Sequence, residues 1–257
     1  MEWFVPGELS LRPLFPLALG QVQLAPDPLD TALLLREILR LRGEAVGNPL
    51  EGCAWTGDLN GAWRLHRHPA FAPLVHSLLA HAWHYLEALG FDRSRIALHI
   101  QRCWPVVSEP GQAVGRHHHP NAHLSAVYYL NGDGSGRCGC LRFFPPSQPN
   151  EMVPGLAVGH GGPLRLESAG GERWNAPWCD VAPRAGLLLL FPSRVEHAVL
   201  ENHDPDDSRF SISLDLVLSA PAAADGPPPE YLAPHPADWD AVADSPCGGT
   251  PFREDGA

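Results

Sequence analysis

The 257-residue chain contains no lysine, so all 18 of its basic residues are arginine. Lysine Schiff-base chemistry, a P-loop and a kinase-type phosphate lysine are thereby excluded, because each needs a primary amine at a fixed place. Cysteine is scattered over Cys53, Cys103, Cys138, Cys140, Cys179 and Cys247 with no CxxC pair, and a chain of this length needs no disulfide staples, so the thiols read as reduced. No stretch approaches the roughly 20 apolar residues needed to span a bilayer. Met1 to Gly20 is interrupted by Glu2, Pro6, Glu8, Pro13 and Pro16 and lacks the basic start and continuous apolar run of a signal peptide. The expectation is a cytoplasmic protein with no membrane partner. Charge is also scarce: 18% of residues are charged, and 18 basic against 29 acidic residues leave a net charge of −11 with no basic patch. Nucleic acid is therefore not an expected partner. The oligomeric state leaves no mark in the sequence.

What the chain does have is proline and glycine, 28 and 25 residues, which favours many short elements and long loops over a helical bundle. Two helices are expected early. Asp30 to Arg42 sets Leu34, Leu35, Ile38 and Leu41 at helical spacing behind an Asp30 cap, and Ala70 to Leu89 repeats the pattern with Phe71, Leu74, Leu78 and Leu79. Both read as packing scaffold, His76 and His84 included. From Arg95 the texture changes to short β-branched or aromatic runs: Ile96 to Val107, His123 to Leu130, Leu141 to Phe144, Gly186 to Phe191, His197 to Glu201 and Arg209 to Leu218. The expected organisation is mainly β, one domain over residues 1–219 with a helical part at about 25–92 and a β-barrel core at about 95–219. Residues 220–257 form a Pro/Ala/Asp-rich tail whose few aromatics are too sparse for a second core. Pro145 to Arg184, dense in Pro and Gly, reads as an excursion over the barrel mouth.

The most informative stretch is Gly115 to Leu130, GRHHHPNAHLSAVYYL, where four of the 14 histidines fall within seven positions directly before a strand. On an extended segment residues two apart point the same way, so His117 and His119 can present imidazoles to one centre while His118 faces away. Imidazole suits Fe, Zn, Cu or Ni, and a mononuclear site needs a third ligand. His197 is the candidate, just after an apolar strand and a Phe191-Pro192-Ser193 turn. Twelve residues on, Arg209-Phe210-Ser211-Ile212-Ser213 alternates, so Arg209 and Ser211 share a face and can hold a carboxylate together. Taken singly, these pieces also fit a solvated histidine run, an ordinary histidine and an ion-paired arginine; their order along the chain favours a site. Cys138 and Cys140 read as a Gly-rich hairpin with incidental thiols.

In these motifs the sequence resembles the Fe(II)- and 2-oxoglutarate-dependent oxygenases, and within them a bacterial and phage family with an HxHPxxxLSGVYY-like motif. Here the motif runs from His117 through Pro120, His123, Leu124 and Ser125 to Tyr128 and Tyr129, followed by FPSxxxH at Phe191 to His197 and RxSxS at Arg209, Ser211 and Ser213. The likeness spans roughly Arg95 to Leu218. It implies a double-stranded β-helix, or jelly roll, with the N-terminal helices packed on it and a metal inside the mouth. It further implies Fe(II) held by His117, His119 and His197, and 2-oxoglutarate bound through its far carboxylate by Arg209, assisted by Ser211; Tyr129, by its strand parity with Ser125, either faces that cosubstrate or packs. Molecular oxygen would oxidise the cosubstrate to succinate and carbon dioxide, and the default outcome is hydroxylation of an aliphatic C–H bond in a small molecule or peptidyl side chain.

The chain departs from the pattern at three points. The superfamily supplies two histidines and one carboxylate, whereas His119 stands where the Asp or Glu is expected. Either the site is three-histidine, or His123, Asn121, Glu109 or Asp133 completes it. A small residue there would leave room for halide; His119 is not small, which disfavours halogenation. Ala126 replaces the glycine of SGVYY, and Val106 stands where an Asn often follows the strand Trp104. Two other readings stay open: a three-histidine iron dioxygenase using no keto acid, and a non-catalytic metal-binding barrel.

Overall fold

The computed structural model describes residues 14–25, 27–45, 50–147, 150, 164–165, 174–222 and 232–241. In chain order the elements are β1 (Gly20–Gln23), α1 (Pro28–Glu44), β2 (Trp55–Thr56), α2 (Ala72–Ala88), β3 (Ala97–Ser108), β4 (Val114–His117), β5 (Leu124–Tyr129) and β6 (Leu141–Phe143). They continue with β7 (Leu164–Arg165), β8 (Cys179–Val181), β9 (Leu187–Pro192), β10 (His197–Val199) and β11 (Arg209–Ser219). The strands form two sheets, a six-stranded one in the order β1-β9-β5-β11-β3-β2 and a five-stranded one in the order β4-β10-β6-β8-β7. Every pairing is antiparallel except β7 with β8.

Both helices form where the apolar spacing puts them, with one correction at the start of α1. Asp27, not Asp30, is the cap: its carboxylate accepts from the backbone N–H of Leu29 at 2.7 Å and of Asp30 at 3.3 Å, which moves the helix start towards the N-terminus. Leu34 and Ile38 from α1, and Val75, Leu78, Ala82 and Leu86 from α2, are buried against the six-stranded sheet, while His76 and His84 are exposed. Tyr85 lies over Gly20 of β1, where an added Cβ would come within 2.7 Å of its ring, and its hydroxyl donates to the Ala18 carbonyl.

Because the six-stranded sheet has helices on one face and the second sheet on the other, its central strands bury both faces, and alternation sorts them. In β9, Leu188 and Leu190 join the core under the helices while Leu189 and Phe191 pack between the sheets with Leu141, Phe143 and Val181. In β5, Leu124, Ala126 and Tyr128 face the helices; in β11, Phe210, Ile212, Leu214, Leu216 and Leu218 do. The opposite faces of β5 and β11 look into the space between the sheets, and their polar residues are all found there. Pro105 sits inside β3 opposite Ile212. It is tolerated because β2 pairs only as far as Val106 and Val107, so the neighbouring residue has no ladder bond to lose on that side.

Five strands, β1, β2, β4, β7 and β8, go beyond those expected from sequence. Two of them modify the Pro145 to Arg184 excursion: Leu164–Arg165 and Cys179–Val181 are strands of the five-stranded sheet, and most of the rest of that segment lies outside the described residues. Of the C-terminal stretch, the described part returns to the barrel, the Ala220 N–H donating to the Ala233 carbonyl and Leu232 packing on the main core. Among the described residues no helix is long and apolar enough to cross a membrane.

Ile212 is fully buried at the middle of β11. Ile212→Ala should lower the unfolding free energy by about 3 kcal/mol, read from urea denaturation, while leaving the inward face of the strand in place.

Candidate active site

The inward faces of β3, β5 and β11 meet β4, β6 and β10 around one cavity of about 60 Å³ that opens at its mouth. His117 ends β4 and His197 begins β10, and the two residues are paired across those strands. His119 follows in the loop after β4, which is fixed at both ends: its own N–H donates to the Ser193 carbonyl, and the Ser193 N–H donates to the His123 carbonyl. Gln101 donates to the Asn121 carbonyl of the same loop. It can do so because β3 carries a bulge here, Asp215 pairing with Arg102 and Leu216 with Ile100, which leaves Gln101 out of the ladder. The distant FPS motif thus holds the loop that carries His119.

The three imidazoles converge. One ring nitrogen from each of His117, His119 and His197 lies within 4.8 Å of the other two, with ring centroids 4.3 to 5.2 Å apart. Their tautomers follow from their partners. The Nδ1 of His117 donates to the Gly115 carbonyl at 2.7 Å, that of His197 to the Val195 carbonyl at 2.9 Å, and that of His119 to the Asp215 carboxylate at 2.5 Å. All three partners can only accept, so in each neutral ring the proton sits on Nδ1 and the Nε2 lone pair is the one left for the centre. Burial, with repulsion from the neighbouring His117 ring whenever both would carry a proton, holds His197 at about 3, and burial also pulls His117 below the ordinary histidine range. Neutral imidazoles with free Nε2 atoms are the form that binds a transition metal. His118 points to solvent.

The alternative ligands are engaged elsewhere. The His123 Nδ1 accepts from the Leu218 N–H, Glu109 pairs with Arg42 at 2.7 Å, and Asp133 accepts from the Ser135 N–H. Asn121 has its carbonyl tied to Gln101, and none of the four lines the cavity.

Arg209, Ser211 and Tyr129 line the same cavity. Ser211 is paired with Tyr129 on β5 and with Val106 on β3, so Val106 is a wall residue. Arg209 is 2% exposed and has no carboxylate partner among the described residues. Its Nη1 donates to the carbonyls of Cys138 and Gly139, each at 2.9 Å, and its Nη2 is buried with no partner. The CxC turn therefore acts through its backbone. Gly139 has φ of 87°, and a Cβ there would meet the Leu200 carbonyl oxygen at 2.1 Å. Burial lowers the pKa of Arg209 and, in the opposite direction for a phenol, raises that of Tyr129.

Sequence reasoning missed the other polar group of this face. Asp215 is fully buried. It receives His119 and Ser125 on Oδ1 and Arg102 on Oδ2, at 3.1 Å from Nε and 2.5 Å from Nη2, and Arg102 reaches on to Asp58 at 2.8 Å. Burial pushes the Asp215 carboxyl up, but the His119 hydrogen bond and the Arg102 guanidinium outweigh it and keep it below the usual carboxylate range. The missed signal was parity: Asp215 shares a face with Arg209, Ser211 and Ser213.

Residues 102–215 match the family model described as "Putative 2OG-Fe(II) oxygenase". No curated protein gives a match. Among solved structures the chain is similar to the non-heme alpha-ketoglutarate-dependent epimerase SnoN from nogalamycin biosynthesis, at 20% identity and TM-score 0.50 over 86% of this chain and 92% of that one. It is also similar to a prolyl-4-hydroxylase from Pseudomonas putida, at 18% identity and TM-score 0.50 over 78% and 92%. A third is the carbocyclase SnoK from nogalamycin biosynthesis, at 14% identity and TM-score 0.52 over 79% and 82%. The shared fold is the jelly roll expected from the sequence. The stretch that resembles the 2OG-Fe(II) oxygenase family, residues 102–215, is the one that carries all three imidazoles and Arg209.

Proposed function

We propose that this chain is an Fe(II)- and 2-oxoglutarate-dependent oxygenase that hydroxylates an aliphatic C–H bond of a small molecule or a peptidyl side chain. In this reading His117, His119 and His197 hold the iron, and Arg209, with Ser211 and Tyr129, receives the far carboxylate of 2-oxoglutarate. The catalytic unit is residues 1–219 with 220–257 appended, acting in the cytoplasm.

The observation that carries the reading is the Arg209 guanidinium. A buried cation with an unsatisfied N–H costs several kcal/mol unless an anion completes it, and the described residues supply none. The open N–H and the cation fit a carboxylate entering the cavity from the mouth, and the Ser211 hydroxyl on the same face adds a weaker donor. The walls between this pole and the imidazoles are largely apolar, among them Val127, Leu141 and Val199. Such walls suit the methylenes of a five-carbon diacid and strengthen the charge pairing by excluding water. The three Nε2 lone pairs fit a divalent first-row metal at the other pole, each Nδ1 being held so that its ring keeps its orientation. When bound, Fe(II) with 2-oxoglutarate supplies the oxidising power of O2 at the cost of the keto acid, which leaves as succinate and carbon dioxide. The Phe143 and Phe191 rings packed against His197 keep the metal pole dry on the inner side, so a substrate C–H bond approaches from the mouth.

Anaerobic addition of Fe(II) and 2-oxoglutarate should produce a weak visible charge-transfer band, and succinate should form in air. Metal binding without the band, or oxygen uptake independent of 2-oxoglutarate, would favour the dioxygenase that uses no keto acid. Arg209→Met should weaken 2-oxoglutarate binding about 10- to 100-fold, the worth of a charged hydrogen bond. The same variant should leave Fe(II) affinity intact and leave the ligand-free protein as stable or more so, because it removes a buried unpaired charge.

The histidine shifts set a pH dependence for the metal-free protein. His197 is neutral when folded down to about pH 3, whereas in the unfolded chain it takes a proton near 6.5. The unfolded state therefore binds more protons below pH 6.5, and stability falls as pH falls. Between pH 7.5 and 5.5 the loss from His197 should be about 1 kcal/mol, read by urea denaturation in chelator. Asp215, whose carboxyl lies below the usual range, contributes only at lower pH. A comparable loss in His197→Asn would reject this assignment.

A further inference from the structure

We propose that Asp215 is a positioning residue for the metal, delivering through His119 the negative charge that a two-histidine, one-carboxylate set would supply directly. The inference rests on the reading above that the three imidazoles hold Fe(II).

The three Nδ1 partners differ in kind. His117 and His197 lean on backbone carbonyls two residues back in their own segments, Gly115 and Val195. These are neutral dipoles. His119 alone leans on a full carboxylate, brought from 96 residues away. A carboxylate on the far nitrogen makes an imidazole a stronger donor and fixes its orientation, and His119 is the position where the sequence departs from the usual carboxylate ligand.

The sheet is built to hold that carboxylate still. In the ladder Asp215 is paired with Arg102 on β3 and with Ser125 on β5, and both side chains bond to it. Ser125 is itself braced by Ser193 at 2.8 Å. Arg102 would cancel the charge of Asp215, but its Nη1 is shared with Asp58 at 2.8 Å, so Asp58, Arg102 and Asp215 together carry one net negative charge. The chain from Asp58 through Arg102 and Asp215 to His119 runs from the rim, where Arg102 stacks on Trp104 at 4.8 Å, to the metal pole.

The test is anaerobic titration of the full metal-free chain with Fe(II). Asp215→Asn, which keeps an acceptor but removes the charge, should weaken Fe(II) binding 10- to 100-fold, the usual effect of losing such a partner. In a His119→Asp background, where the carboxylate is direct, the same change should leave Fe(II) affinity unchanged or raise it, since two facing carboxylates repel. An Asp215 that served only the fold would weaken binding equally in both backgrounds, and that result overturns the proposal. So does wild-type affinity in Asp215→Asn, which leaves the three-histidine site standing. If the wild-type chain binds no Fe(II), the underlying site assignment fails instead, and this inference with it. Should Asp215→Asn not fold, the Co(II)-loaded wild-type protein decides by NMR. The His119 Nδ1 proton must be the slowest of the three imidazole N–H signals to exchange with water; a fast-exchanging one rejects the role.

Discussion

Strand β11 hydrogen-bonds to β3 on one side and β5 on the other, and that double pairing fixes which of its residues look inward. One parity carries Phe210, Ile212, Leu214 and Leu216 into the core beneath the helices; the other carries Arg209, Ser211 and Ser213 into the cavity and Asp215 against His119. A slip of one residue would exchange the two sets. It would drive a guanidinium and a carboxylate into a hydrocarbon core and strand four large apolar side chains in the cavity. The apolar energy that holds the helices to the sheet is thus the same energy that places both charged groups, and the site has no separate scaffold of its own.

This coupling explains what could be read from sequence. The β11 alternation and the HxH before β5 are period-two signals and the LLLLF of β9 is the continuous run of a doubly buried strand; together they pointed to Arg209, Ser211, Tyr129 and the three histidines, which line one cavity. Edge strands were less legible. β1 reads GQVQ, β4 reads VGRH, and β2 is only two residues long; such segments become strands because a neighbouring strand offers them hydrogen bonds, which local composition does not encode. Two features of the site were invisible for different reasons. Asp215 lay in the right parity, but its partner His119 is 96 residues away, and the identity of a partner across a sheet depends on register. The Cys138-Gly139 turn acts through carbonyl oxygens, which every residue possesses, so its thiols drew attention to the wrong atoms.

The inward face of β11 ends in two buried charges of opposite sign, and they are treated in opposite ways. They stand six residues apart, about 20 Å along an extended strand, too far to pair with each other. Asp215 is saturated: every bond it can usefully accept is made by His119, Ser125 or Arg102. Arg209 is left open at Nη2. Were the pattern only a matter of stability, the opposite economy would be expected, since an unpaired buried cation is among the more costly features a domain can carry. The asymmetry makes sense when each charge is assigned a different kind of task. A group that orients a ligand must be immobile and permanently ionised, so its bonds are completed within the protein. A group that receives a diffusing anion must keep a donor free, and the destabilisation it causes in the empty protein is recovered only when the anion arrives. The Gly139 turn limits that cost by giving the guanidinium two carbonyl partners of partial negative charge. They satisfy one nitrogen and aim the other, yet neither carries the full charge that would compete with an incoming carboxylate.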